Sequence, residues 1–277
     1  MSTSRENAPL VELIAELRWE PAHQTGLPMQ VPGLGSTFMI GPGPQASKVD
    51  EFFIHFGSEI RKTGHTETER LVPPGLPFLA HQPIFRFRKS RAETLQSLYQ
   101  LGLGLFSANA VPPYETWKDF RPVVESGVEG MLQARPMEER DKPIVLASLR
   151  YIDAFTTKLT EGRDIVRFLQ EVMNISISIP VALSQHLQPG TNAKPVIQLQ
   201  IPMKEGLVMT FGIGEGMANG EAAILMDTNV ASTLPTKPNV VAIMQVFDDA
   251  HDAIDNTFSK LIIPIEHLMP RKMKETQ

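Results

Sequence analysis

Residues 144–156 read IVLASLRYIDAFT, a strand-like stretch that carries polar groups on both of its faces. Side chains alternate along a strand, so Ser148 and Arg150 lie on one face, while Tyr151 and Asp153 lie on the other. Buried polar and charged groups need partners, because leaving them unpaired costs free energy. The pattern predicts a central strand that buries a polar side chain.

Further strands are expected on both sides of this stretch. LVELIAELRW, from Leu10 to Trp19, alternates apolar and charged residues, and IFRFRK begins at Ile84. Residues 95–110 are predicted as a strand region interrupted by Gly102 and Gly104, which are typical of a bulge or of a close approach by another backbone. Three more strand predictions cover residues 175–187, 195–213 and 221–231, and Pro180 and Pro202 interrupt the first two, which implies edge strands or bulges there.

Helical spacing of apolar residues predicts four helices, at residues 47–62, 115–134, 162–171 and 239–261. Runs of strands closed by a helix indicate the α+β class, with antiparallel sheets and helices packed on one face. We expect an N-terminal half, 1–157, with a Gly/Pro-rich arm at 20–47 lacking regular structure. A C-terminal half, 158–277, ends in the long helix; two domains or one continuous domain both stay open.

Composition limits the functional classes. The 277 residues carry a formal net charge of −5, which argues against a dedicated nucleic-acid binder. Cysteine is absent, so a disulfide scaffold, a thiolate nucleophile and Cys-ligated metal are excluded. Neither a signal peptide nor a membrane-spanning run is visible, and we expect a cytoplasmic protein without a cofactor.

Several motifs together resemble a known family. They are NAPLVELIAELRW at Asn7, IFRFR at Ile84, YQLGLGLFSANAVPPYETWKDFRP at Tyr99, LRYIDAF at Leu149 and AHDAIDNTFSKLI at Ala250. The chain resembles a sporadically distributed bacterial family of about its own length that has no established activity. The patchy distribution resembles that of mobile or defence-linked genes, which implies one component of a multi-gene system.

A candidate ligand site combines the polar residues of two predicted strands: Arg86, Arg88, Arg150, Tyr151 and Asp153. Arginines that project from one strand face can hold a phosphate or a carboxylate through bidentate contacts. The alternative, which we favour for Arg86 and Arg88, is structural pairing with Glu12, Glu16 or acids of a helix.

The last predicted helix offers a weaker metal-site candidate. Asp248, His251 and Asp255 occupy adjacent helical positions, but a metal site needs further ligands from elsewhere. We favour a histidine oriented by its neighbours. The glycine run Gly212-x-Gly214-x-Gly216 predicts a flexible hairpin loop rather than a phosphate loop, because a strand-like segment follows it.

These observations favour a non-catalytic binding or interaction protein with a protein partner or a homo-oligomeric state. The alternative is an enzyme of unrecognised type, acting on an anionic small molecule held in the Arg/Tyr/Asp pocket. No G-x-S-x-G, S-x-x-K or HExxH motif occurs, and no catalytic residue is identified.

Overall fold

The computed structural model describes residues 5–22, 27–30, 37–40, 46–73, 76, 78–90, 97–111 and 116–270. The fold is α+β, as expected: an antiparallel sheet of nine strands with helices packed on one face. The strands are β1 (Leu10–Arg18), β2 (Leu27–Gln30), β3 (Thr37–Ile40), β4 (Glu67–Arg70), β5 (Pro83–Arg88), β6 (Ser97–Gly102), β7 (Leu105–Ala110), β8 (Leu146–Thr156), β9 (Ile197–Pro202), β10 (Leu207–Ala218) and β11 (Glu221–Ser232). The helices are α1 (Ala46–Ile60), α2 (Trp117–Ala134), α3 (Thr157–Thr160), α4 (Ile165–Glu171), α5 (Val181–Ser184) and α6 (Val240–Leu261).

The large sheet has the strand order β4-β5-β6-β7-β1-β8-β11-β10-β9. Strand β8 pairs with β1 on one side and with β11 on the other, which confirms the central strand expected there. Strands β9 to β11 come from the C-terminal half, so the β8–β11 pairing joins both halves of the chain in one sheet.

One face of the sheet holds two apolar clusters. From Leu13 onward strand β1 buries every second side chain, and Trp19, directly after the strand, continues the alternation. This cluster packs under α1, α2 and the first part of α6. The second cluster lies under α4 and the end of α6, around Phe155 and Phe168. Helix α6 begins where the Asn239 side chain accepts a hydrogen bond from the Ala242 N–H, as an N-cap.

The segment 95–110 differs from its prediction. It forms two antiparallel strands, β6 and β7, rather than one bulged strand region. The chain reverses at Gly104, whose φ is +68°, and a Cβ there would lie 2.3 Å from the Trp19 carbonyl oxygen. Gly104 therefore marks a tight turn against the neighbouring backbone, and the strand pairing continues on both sides of it.

Three other local predictions need correction. Residues 175–187 are not a strand: Pro180 precedes the single-turn helix α5, and Ile175 and Ile177 pack on the second cluster from a loop. The arm 20–47 contains the antiparallel strand pair β2 and β3; among the described residues each is an edge strand, the position at which a proline such as Pro28 is tolerated. The glycine run lies within β10, and the turn follows at Asn219 and Gly220.

Among the described residues, no helix combines the length and the apolar character that crossing a membrane would require.

Candidate binding groove on the open sheet face

The sheet face opposite the packed helices carries a groove of about 750 Å³. Its floor crosses five neighbouring strands, β1, β8, β11, β10 and β9. Four strand spacings of ~4.8 Å make the groove about 19 Å across the sheet. The lining side chains used below are Glu16, Arg18, Arg150, Gln198, Thr210, Glu215 and Asp227.

Arg150 and Asp227 form a bidentate ion pair in the groove. Arg150 Nε donates to Asp227 Oδ1 at 2.8 Å, and Nη2 donates to Oδ2 at 2.5 Å. The two residues are diagonal neighbours, because Asn229 lies opposite Arg150 and Ile152 lies opposite Asp227. The hydrogen bonds to Asp227 raise the pKa of Arg150, against the opposing effect of burial. The guanidinium therefore already has a carboxylate partner.

The other charges in and beside the groove are paired in the same way. Arg18 Nε lies 2.7 Å from Glu16 Oε1, and Lys194 Nζ lies 2.7 Å from Glu215 Oε2. Each pair joins one base to one acid. The groove therefore has polar walls without an excess of either charge, and apolar residues such as Ile14 and Leu225 lie between the pairs.

Glycines keep part of the floor free of side chains. Gly212 and Gly214 belong to the open face of β10, since Gly212 pairs with Asp227 and Gly214 with Leu225. A Cβ added at Gly212 would approach only Asp227, at 3.8 Å, which is an ordinary van der Waals contact. Close packing within the protein therefore does not require glycine at this position, and the bare floor can receive another backbone.

Arg86 and Arg88 share the open face but lie elsewhere on it. Their strand, β5, is separated from β8 by β6, β7 and β1. Both contact Glu69 of the neighbouring strand β4: Arg88 Nη2 at 2.7 Å and Arg86 Nη1 at 3.4 Å. The partner is thus a cross-strand acid, rather than Glu12, Glu16 or an acid of a helix. The Nε atoms of both arginines are buried and have no hydrogen-bond partner among the described residues.

Tyr151 and Asp153 lie on the helix-packed face of β8, opposite Arg150. Asp153 is buried between the two apolar clusters, and no described residue forms a hydrogen bond with it. Burial, with a smaller contribution from the charge of Asp227, raises the pKa of Asp153 to about 7. The five ligand-site residues of the sequence therefore fall on two faces of the sheet and do not line one pocket.

His251 packs into the same buried layer as Tyr151. The Tyr151 hydroxyl and His251 Nδ1 are 2.8 Å apart, and the Trp117 ring stacks on the imidazole with centroids 5.4 Å apart. Burial lowers the pKa of His251, against the opposing charges of Asp255 and its acidic neighbours. His251 is therefore a buried, neutral histidine whose ring is positioned by the Tyr151 hydroxyl and the Trp117 ring.

Asp248 shares Trp117 with His251 and is otherwise bound by Arg121. It accepts a bidentate contact from Arg121, with Nε 2.9 Å from Oδ1, and a 2.9 Å hydrogen bond from Trp117 Nε1. This network ties α2 to α6. Within the described part of the chain, no three His, Asp or Glu side chains are grouped as metal ligands, so Asp248, His251 and Asp255 gain no further ligand there.

Asp227 and Glu215 line the groove, with Lys194 paired to Glu215 beside it, and none of the three was a candidate in the sequence analysis; Gly212 was considered there only as part of a hairpin or phosphate loop. The glycine run itself could have indicated a strand at this position. In residues 211–214, FGIG, apolar residues alternate with glycines, which is the pattern of a strand with side chains on only one of its faces. Asp227 ends the apolar run EAAILMD, and its pairing with Arg150 requires the β8–β11 register, which links residues 77 positions apart.

No family model, no curated protein and no solved structure matches this chain, and the groove's own geometry and charges therefore carry the functional proposal.

Proposed function

We propose that the protein is a non-catalytic binding protein that receives an extended segment of a partner protein in the open-face groove. The observation that carries this proposal is the groove itself: five strands wide, about 750 Å³, and lined by charges that are already paired. Its volume lies in the ordinary range of ligand sites, about 300–1,000 Å³.

The charge balance supports a peptide over a strongly anionic small molecule. An anion would have to displace Asp227 from Arg150, or Glu215 from Lys194, before it gained a cation. A segment of mixed polar and apolar side chains meets no such cost, because it can hydrogen-bond to Gln198 and Thr210 and pack on Ile14. At ~3.3 Å per extended residue, a floor of about 19 Å accommodates roughly six residues.

The paired state of Arg150 also bears on the enzymatic alternative. A pocket that activates an anionic substrate needs cationic groups free to meet it, together with an acid or a base within reach. Arg150 is paired, and Tyr151 and Asp153 lie across the sheet from the groove. The family resemblance supports a partner from the same multi-gene bacterial system, including a defence-type system.

Affinity purification from the native host tests the proposal, with mass spectrometry of the proteins and small molecules that co-purify. Two variants sharpen it. Gly212→Leu fills the groove floor, where the added Cβ meets only an ordinary contact. Met217→Leu changes an exposed side chain of the same strand on the other face, beyond the groove, and serves as the matched control.

We expect the wild type and Met217→Leu to retain the same partner and Gly212→Leu to lose most of it. Circular dichroism and melting curves confirm that all three chains are folded. Equal recovery of the partner by Gly212→Leu would contradict a role for the groove, and so would turnover of a co-purified small molecule without any protein partner.

A further inference from the structure

The two edges of the nine-stranded sheet differ in their chemistry. Edge strand β4 reads ETER, and its charges are of the kind that discourage pairing with another chain. The opposite edge, β9, reads IQLQIP and contains no charge. Every residue from Gln198 to Pro202 is exposed, and Leu199 and Ile201 keep 45% and 44% of their surface accessible. An uncharged, exposed edge of this length is a ready template for another strand.

The outer edge of β9 has a defined hydrogen-bonding pattern. Met203 N donates to Leu207 O at 2.9 Å, so Met203 faces β10, and the residues at alternate positions before it face β10 as well. Gln198 and Gln200 therefore direct their backbone N–H and C=O groups outward. None of the described residues pairs with these groups. Pro202 also points outward, where a missing N–H breaks no bond to β10.

We propose that β9 pairs antiparallel with β9 of a second copy of this chain, about a two-fold axis that passes through Leu199. In this register Leu199 lies opposite its own copy, Ile197 lies opposite Ile201, and Gln198 lies opposite Gln200. Both glutamines then form hydrogen-bonded backbone pairs, which gives four bonds across the interface. An isologous contact of this kind closes the assembly as a dimer.

The sequence of β9 is complementary to itself in this register. Apolar residues meet apolar residues on the helix-packed face, and glutamines meet glutamines on the open face. No like charges face each other within the strand. Lys194, three residues before the strand, is already paired with Glu215. Val196, just before the strand, leaves 82% of its surface exposed and adds apolar area beside the contact.

The symmetry has a consequence for the groove. An axis perpendicular to the sheet makes one continuous sheet from the two copies and keeps both helix layers on the same side. Both grooves then open on the opposite side. Gln198, which lines the groove, lies beside the axis in each copy, so the two grooves meet at the dimer contact. Dimer formation itself requires no bound partner.

Analytical ultracentrifugation of the purified full-length chain over a range of concentrations tests the dimer. Two variants target the contact: Leu199→Lys places two like charges at the axis, and Gln200→Pro removes an outward N–H. The control Ile54→Lys introduces the same charge at an apolar α1 side chain that is 69% exposed and that lies beside β4 and β5, at the opposite edge of the sheet from β9. A further arm mixes the Leu199→Lys and Leu199→Glu chains.

We expect a concentration-dependent dimer for the wild type and for Ile54→Lys, and at least a tenfold weaker dimer for Leu199→Lys and for Gln200→Pro. Mixing the two oppositely charged chains should restore the dimer, because their charges meet at the axis. A wild type that stays monomeric at all concentrations overturns the proposal. So does a dimer that persists in folded Leu199→Lys and Gln200→Pro chains, since it would use another surface.

Discussion

Asp153 couples the stability of the fold to pH. Burial, and to a lesser extent the charge of Asp227, raises its pKa to about 7 in the native state. In the unfolded chain an aspartate has a pKa of about 3.9. Between these values the native state binds a proton that the unfolded state has released. The free energy of unfolding therefore falls as pH rises from about 4 to about 7.

Asp153→Asn should remove this dependence, because an amide of similar shape does not ionise. We expect the wild type to lose on the order of 3 kcal/mol between pH 4 and pH 8 through this residue, and Asp153→Asn to show a correspondingly flatter profile. Urea unfolding at several pH values between 4 and 8 measures the free energy of unfolding of both chains. The control is Asp252→Asn, at an exposed position of α6. Parallel profiles for the wild type and Asp153→Asn would contradict the assigned burial of the charge.

Alternation along β8 identified which face each polar residue occupies, but it could not identify their partners. Ser148 and Arg150 were predicted on one face and Tyr151 and Asp153 on the other, and the structure confirms this separation. Combining them in one pocket conflicts with the same alternation, because a sheet lies between them. The partners, Asp227 and His251, come from β11 and α6, and no local pattern connects such distant segments.

Helix α2 can approach the sheet because of one glycine. A Cβ at Gly127 would lie 2.5 Å from Tyr99 Cε1 and 2.8 Å from Phe106 Cζ. Both rings are fully buried, and they pack against each other and against Phe56. Neither ring can move without disturbing the cluster, so the helix would have to shift outward.

Gly127→Ala should therefore destabilise the fold by about 1–2 kcal/mol, even though alanine favours a helix by about 1 kcal/mol. Thermal or urea unfolding measures the change. Glu129→Ala, at an exposed position of the same helix, is the control and should stay within about 0.5 kcal/mol of the wild type. A more stable Gly127→Ala chain would show that the helix–sheet contact is looser than described.

Amphipathic helices were the most predictable elements, because a long stripe of apolar residues at helical spacing indicates both the helix and its buried face. Residues 239–261 predicted α6 almost to its ends. Loops that lie on the core produce a similar alternation, and for that reason residues 175–187 suggested a strand. Residues 195–213 were predicted as one strand region interrupted at Pro202, but β9 and β10 are separated at Lys204–Gly206, where Glu205 has a positive φ, and β10 continues to Ala218.

Local sequence patterns could not predict the order of the nine strands in the sheet. The sequence predicted antiparallel sheet with helices on one face, and the fold confirms this class. It did not predict that β11 joins β8 and so places strands of both halves under one groove. Strand order depends on which buried faces meet in space, and the open face became a candidate site only once that order was known.

Site-specific photo-crosslinking in the native host tests the binding groove most directly. A photo-crosslinking phenylalanine derivative replaces Thr210 on the groove floor in one chain, and Val241, an α6 side chain that is 81% exposed, in another. The proposed function predicts a covalent adduct with one partner protein from position 210 and none with that partner from position 241. Equal labelling from both positions, or no protein adduct from position 210 in the folded chain, would contradict it.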